Sequence, residues 1–85
     1  MSIQKLIDRT FSYSLEAQDA GLADLYLADT ADFKQVQWLM NSNDIDGALA
    51  KIGNMDTEPR EQILLAIAEE YGNGYVETVI GYEVA

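Results

Sequence analysis

Residues 41 to 53, NSNDIDGALAKIG, are the nearest approach to a metal motif in the chain. Setting Gly47 at the glycine position of a calcium loop puts Asp44 and Asp46 at its third and fifth positions, both of which supply ligands. Leu49 then falls at the eighth, where such loops carry an aliphatic residue. The likeness stops at the ends. The first position becomes Ser42, and the twelfth, which must give a bidentate acid, becomes Gly53. A cation that wants six or more oxygens would find two carboxylates. The same residues also open a helix: Asp44 as its cap and Asp46 in the first turn, where a negative charge is favoured. No residue is assigned to a metal, and weak calcium binding stands as a second alternative function.

Catalytic constellations are scarce. The chain has no histidine and no cysteine, which removes the commonest general base and the commonest activated nucleophile pairs. Paired carboxylates remain, Asp56 with Glu58 and Glu69 with Glu70. Neighbouring residues on a helix do not face each other, so the second pair makes a poor dyad, and an acidic helix surface accounts for both. Gly72-Asn73-Gly74 lacks the lysine and the preceding strand of a phosphate-binding loop. The expectation is a protein that is not an enzyme and needs no cofactor.

Two helical families of this size fail on their own motifs. Acyl carrier proteins carry phosphopantetheine on a serine in an Asp-Ser-Leu setting, whereas Ser42 here lies between Asn41 and Asn43. A DNA-reading helix pair over 44 to 71 would open its second helix with T-E-P-R-E-Q, placing acids close to where phosphates must lie.

Charge is the most informative property. Fifteen acidic residues face five basic ones, for a formal charge of −10. Phosphate binding needs cations that release counterions, and only Lys5, Arg9, Lys34, Lys51 and Arg60 can supply them. That argues against direct binding to nucleic acid or to an anionic membrane, and for a protein partner with a basic surface. The plainer reading is that the acids only confer solubility. Their distribution is uneven. Glu16, Asp19, Asp24, Asp29 and Asp32 lie between Arg9 and Lys34 with no base among them; Glu69, Glu70, Glu77 and Glu83 follow Arg60 with none after it. The candidate partner-binding residues are therefore Asp19, Asp24, Asp29 and Asp32, with Glu69, Glu70 and Glu77 as a second cluster. Trp38 and Tyr26 are expected in the core, with interface anchors as the other reading.

The expected function is a small acidic binding protein that occupies a basic, nucleic-acid-binding surface of a larger protein. Phage-type nucleic-acid mimics that block host nucleases or CRISPR complexes are the analogy, which rests on size and charge alone. The alternative is an assembly module, possible as a homodimer, that associates through apolar rows around Val76, Val79, Ile80 and Tyr82. No apolar run approaches the roughly 18 residues of a membrane span. The start, MSIQKLIDRTF, lacks the apolar block of a signal peptide, so a cytoplasmic location is expected.

A single domain over residues 1 to 85 must position these groups. Ser2 caps a helix reaching about residue 19, with Ile3, Leu6, Ile7, Phe11 and Leu15 inward. Leu22, Leu25 and Tyr26 predict one or two separate turns. Asp29 or Thr30 caps a helix over 31 to 41 that buries Phe33, Val36, Leu39 and Met40. After the turn Asn41-Ser42-Asn43, Asp44 caps a helix with Ile45, Ala48, Leu49 and Ile52 inward, and Gly53 closes it. Thr57 caps the next, in which Ile63, Leu64, Ile67, Ala68 and Tyr71 make the buried stripe and Gly72 the end. The last segment, 75 to 84, is read as helix, with a strand as the other possibility. The fold class is all-α, a compact bundle of five or six short helices.

Overall fold

The computed structural model describes residues 2–17 and 23–81. Helix α1 runs Ile3–Glu16, α2 Ala23–Asn41, α3 Ile45–Gly53, α4 Thr57–Tyr71 and α5 Asn73–Tyr75, which continues as a π-helical turn, Val76–Ile80. The described residues contain no strand. The fold is the expected all-α bundle, and the last segment is helical as far as it is described; residues 82–85, including Tyr82, lie outside the described residues.

The Ser2 hydroxyl accepts from the Lys5 N–H at 3.2 Å and starts α1 where expected. Its buried face differs from the expected one. Ile3, Leu6 and Ile7 are buried, but then Thr10 and Ser14 rather than Phe11 and Leu15, which are exposed. The reason is the helical pitch. Steps of four drift by about 40° each, so a row from Ile3 through Ile7 and Phe11 has rotated about 120° by Leu15. Mixed steps of three and four stay on one face and lead to Thr10 and Ser14.

Helix α2 is one unbroken element, which corrects both the separate turns near Leu25 and the cap at Asp29 or Thr30. Thr30 has cap chemistry, but its hydroxyl donates to the Tyr26 carbonyl at 2.7 Å, inside the helix. Phe33, Val36, Leu39 and Met40 are buried as expected. Trp38 is not a core residue: it is 66% exposed on the outer side of α2. Asn43, at φ 60°, turns the chain after α2, and asparagine tolerates that left-handed conformation.

Asp44 caps α3 by accepting from the Gly47 N–H at 3.0 Å. Gly53 is the last residue of α3 and has no left-handed φ; the cap is Asn54, at φ −92°. The cap of α4 is Asp56, one residue before the expected Thr57, and its side chain makes no capping bond. In α4, Ile63, Ile67 and Ala68 are buried with Ala66, whereas Tyr71 is exposed. Gly72 ends the helix at φ 101°, a conformation open almost only to glycine.

Helices α1 and α2 are antiparallel. Gln37 donates to Gln4 at 3.0 Å at one end, and the rings of Tyr13 and Tyr26 meet at 5.8 Å at the other. Helix α4 is antiparallel to α1: the Ile3 N–H donates to Glu70 at 3.2 Å, while Thr10 and Tyr13 share a cleft with Pro59 and Gln62. The core lies at the α3–α4 end, where Ala48, Ile52, Ile63, Ile67, Val76 and Ile80 join Ile3, Leu6, Phe33 and Val36. The start of α4 lies beside Thr10 and Tyr13 of α1 and Leu25, Tyr26 and Asp29 of α2, toward the far end of the hairpin from that core. Among the described residues no helix is long and apolar enough to cross a membrane.

Candidate functional site

The described members of the sequence-predicted acids do not gather into one surface. Asp19 lies outside the described residues. Asp24, in the first turn of α2, is exposed, and its side chain has no hydrogen-bond or ion-pair partner among the described residues. Asp29 follows five residues later, which turns it about 140° around the helix from Asp24, and it is half-buried. Asp32 is paired with Lys51 of α3 at 2.9 Å, the one ion pair formed between described residues. That pair draws its base from α3, since the acidic segment between Arg9 and Lys34 holds none of its own.

The second cluster sits elsewhere. Glu70 accepts from the Ile3 N–H and so ties the end of α4 to the start of α1. It also helps hold the neighbouring Tyr71 phenol above its usual range, although burial is the larger cause. Glu69 and Glu77 are exposed, Glu77 on the π-helical turn. From Glu58 to Glu70 is twelve residues of one helix, about 18 Å along its axis. The two segments therefore lie at opposite ends of α4.

A different group converges instead. Asp29, of the predicted set, meets Asp56 and Glu58 at the start of α4. Its carboxyl is pushed above the usual carboxylate value, first by burial and then by repulsion from Asp32, Asp56 and Glu58. With Arg9, Thr10, Tyr13, Leu25, Tyr26, Pro59 and Gln62 these residues line a cleft of about 350 Å³. It forms where the start of α4 meets the α1–α2 hairpin. In the sequence Asp56 and Glu58 read as plain helix surface. The available signal was that they flank Thr57 at a helix start, which fixes them on the loop side of α4. Nothing in their spacing pairs them with Asp29, 27 and 29 residues away in the chain.

In the calcium-like stretch Asp44 serves as the cap of α3. The Asp44 carboxylate is occupied by the Gly47 N–H. A Cβ on residue 47 would come within 2.5 Å of an Asp44 oxygen, so the glycine makes room for the cap. Among the described residues, no three acidic side chains come together as a set that could hold a metal ion.

The apolar row proposed for self-association is largely used inside the fold. Val76 and Ile80 are buried against the core, and Val79 alone of the described members is exposed. The π-helical turn, closed by the Gly81 N–H donating to the Val76 carbonyl at 2.8 Å, keeps both buried side chains turned toward α4. Apolar exposure lies elsewhere: Phe11 and Leu15 on α1, Leu25, Leu27 and Trp38 on α2, and Leu65 on α4.

Fold and cleft define a small acidic helical domain with a carboxylate-rimmed, tyrosine-walled hollow. Compared with family models, curated proteins and solved structures, the chain matches none.

Proposed function

We propose that this chain is a non-enzymatic binding protein that presents carboxylates to a basic, nucleic-acid-binding surface of a larger protein, in the manner of a phage-type nucleic-acid mimic. The observation that carries the reading is the surplus of outward-facing acid. Every described Asp and Glu except Asp29 and Asp32 is exposed, and Lys51–Asp32 is the one ion pair between described residues. A folded chain of formal charge −10 repels itself, and a partner of opposite charge relieves that repulsion while being steered toward it. The absence of histidine and cysteine from the sequence supports a role without catalysis.

Docking would use the exposed Asp24 and the Asp29 rim at one end, with Glu69, Glu70 and Glu77 as a separate contact at the other. The test is capture of the partner at two salt concentrations, followed by competition with that partner's own nucleic acid. Retention that falls steeply with salt and is displaced by nucleic acid is expected. Equal capture by a folded Asp24→Lys/Asp29→Lys/Asp32→Lys variant would overturn the reading.

A second reading, self-association as an assembly module, is favoured by the exposed Phe11, Leu15, Leu27 and Trp38. An apolar dimer holds its mass in high salt, where charge-led docking weakens, and light scattering across a salt series separates the two.

A further inference from the structure

The cleft at the start of α4 has features that an acidic surface does not need. It is a hollow of about 350 Å³, within the range of small-ligand sites though near its lower end. One wall is aromatic: Tyr13 and Tyr26 stand with ring centroids 5.8 Å apart and planes inclined by 54°. Leu25 and Pro59 add apolar surface, and Asp29, Asp56 and Glu58 supply three carboxylates against the single guanidinium of Arg9. Arg9 forms no ion pair with a described residue, so it does not cancel these acids at contact distance. The three acids are also not arranged as a set that could hold a metal ion.

We propose that this cleft binds one small organic cation, an alkyl guanidinium or alkyl ammonium group on an apolar stem. Carboxylates distributed around a hollow, rather than focused on a point, suit a cation with several N–H donors spread over a few ångströms. Tyrosine faces attract such a cation within about 6 Å of the ring, and Leu25 and Pro59 give its methylenes a dry wall. Asp29 holds a half-buried charge among other acids, so a cation entering beside it removes an existing repulsion. The site shares Asp29 with the proposed docking end, but Asp24 and the Glu69, Glu70 and Glu77 end take no part in it, and small-cation binding is read without the protein partner, so either reading can fail alone.

The test is an amide-resonance titration of the full chain at constant ionic strength of about 0.15 M. Two probes are used: agmatine, a free guanidinium cation, and N-acetyl-arginine amide, which stands for an arginine side chain of another protein. Citrulline amide, neutral and nearly the same shape, is the control. Saturable shifts centred on Tyr13, Tyr26, Asp29 and Glu58, absent with the control, are expected. Shifts with both probes assign the cleft to side-chain recognition; shifts with agmatine alone assign it to free amines. An Asp29→Asn/Glu58→Gln variant, shown to be folded by its circular dichroism, should bind about tenfold more weakly. The proposal fails if neither probe saturates by about 10 mM. It also fails if the control shifts the same residues equally, or if the folded variant binds as the parent does.

Discussion

Around Ile63, Ile67, Val76 and Ile80 the chain buries branched aliphatic side chains, whereas around Thr10, Ser14 and Thr30 it buries hydroxyls and leaves Phe11, Leu15, Leu25 and Leu27 in solvent. Both ends are helical, and both satisfy their buried polar atoms. Thr10, Ser14 and Thr30 each donate to a carbonyl of their own helix three or four residues back, so no buried side-chain polar atom is left without a partner among the described residues. The ends differ in what burial returns. Apolar area removed from water stabilises by about 25 cal/mol per Å², while a hydroxyl bonded within its own helix gains little. Small hydroxyl side chains let α1 and α2 lie close, but this end of the hairpin adds little apolar burial of its own. Segments with few buried apolar contacts open locally at lower free energy. The hairpin end also carries the cleft, so recognition is placed on the less strongly packed part of the molecule.

The largest test of this contrast is a cavity in the base. Ile67→Ala, at a fully buried position in α4, should cost about 2–5 kcal/mol in urea unfolding. Next is Gly72→Ala, which puts a Cβ on a residue at φ 101° and ψ 152°. About 1–3 kcal/mol should be lost, measured the same way, because that backbone region is nearly closed to other residues. A cost near zero would mean that the junction of α4 and α5 adapts freely and that the base is less rigid than its packing implies.

At the hairpin end a substitution should stabilise. The Asp29 carboxyl is held above its ordinary value of 3.8, mainly by burial. The folded state therefore binds this proton more tightly than the unfolded state, and ionisation costs stability at neutral pH. Asp29→Asn should raise Tm at about pH 7, and the gain should shrink as pH falls through the raised value and vanish below 3.8. Calorimetry at about pH 7 and about pH 3 checks it. A gain that persists in acid would point to packing instead of charge. The smallest effects belong to Phe11→Ala and Leu15→Ala, each within about 0.5 kcal/mol of the parent. If either approached the cost of Ile67→Ala, the exposed rows would be packed after all and the contrast would collapse.

The base was largely legible in the sequence and the hairpin was not. Ile45, Ala48, Leu49 and Ile52 and the stripe through Ile63 and Ile67 recur at helical spacing between clear punctuation at Asp44 and Gly72, so pattern and structure agree there. Along α1 an apolar row from Ile3 to Leu15 recurs in steps of four, and the pitch carries such a row off the buried face. Along α2 the residues with cap chemistry, Asp29 and Thr30, lie inside a continuous helix, because Thr30 finds its partner at Tyr26. The acids were countable, and their lack of interspersed bases was visible. Their arrangement was not, because Asp29 meets Asp56 and Glu58 only through the docking of α4 under the hairpin. Cation recognition by the tyrosine wall depends equally on that docking, and neither Tyr13 nor Tyr26 signals it by position.

Trp38 is the only tryptophan in the chain, and at 66% exposure it faces water in the native state. Its emission should already be red-shifted before any denaturant is added, so fluorescence would follow unfolding poorly and circular dichroism would follow it well. The same residue makes a built-in position sensor. Nine residues separate it from Asp29, two and a half turns that place it about 180° around α2 and about 13 Å along it. A ligand seated in the cleft should leave its quenching by acrylamide unchanged, while a partner covering the outer side of the hairpin should shield it.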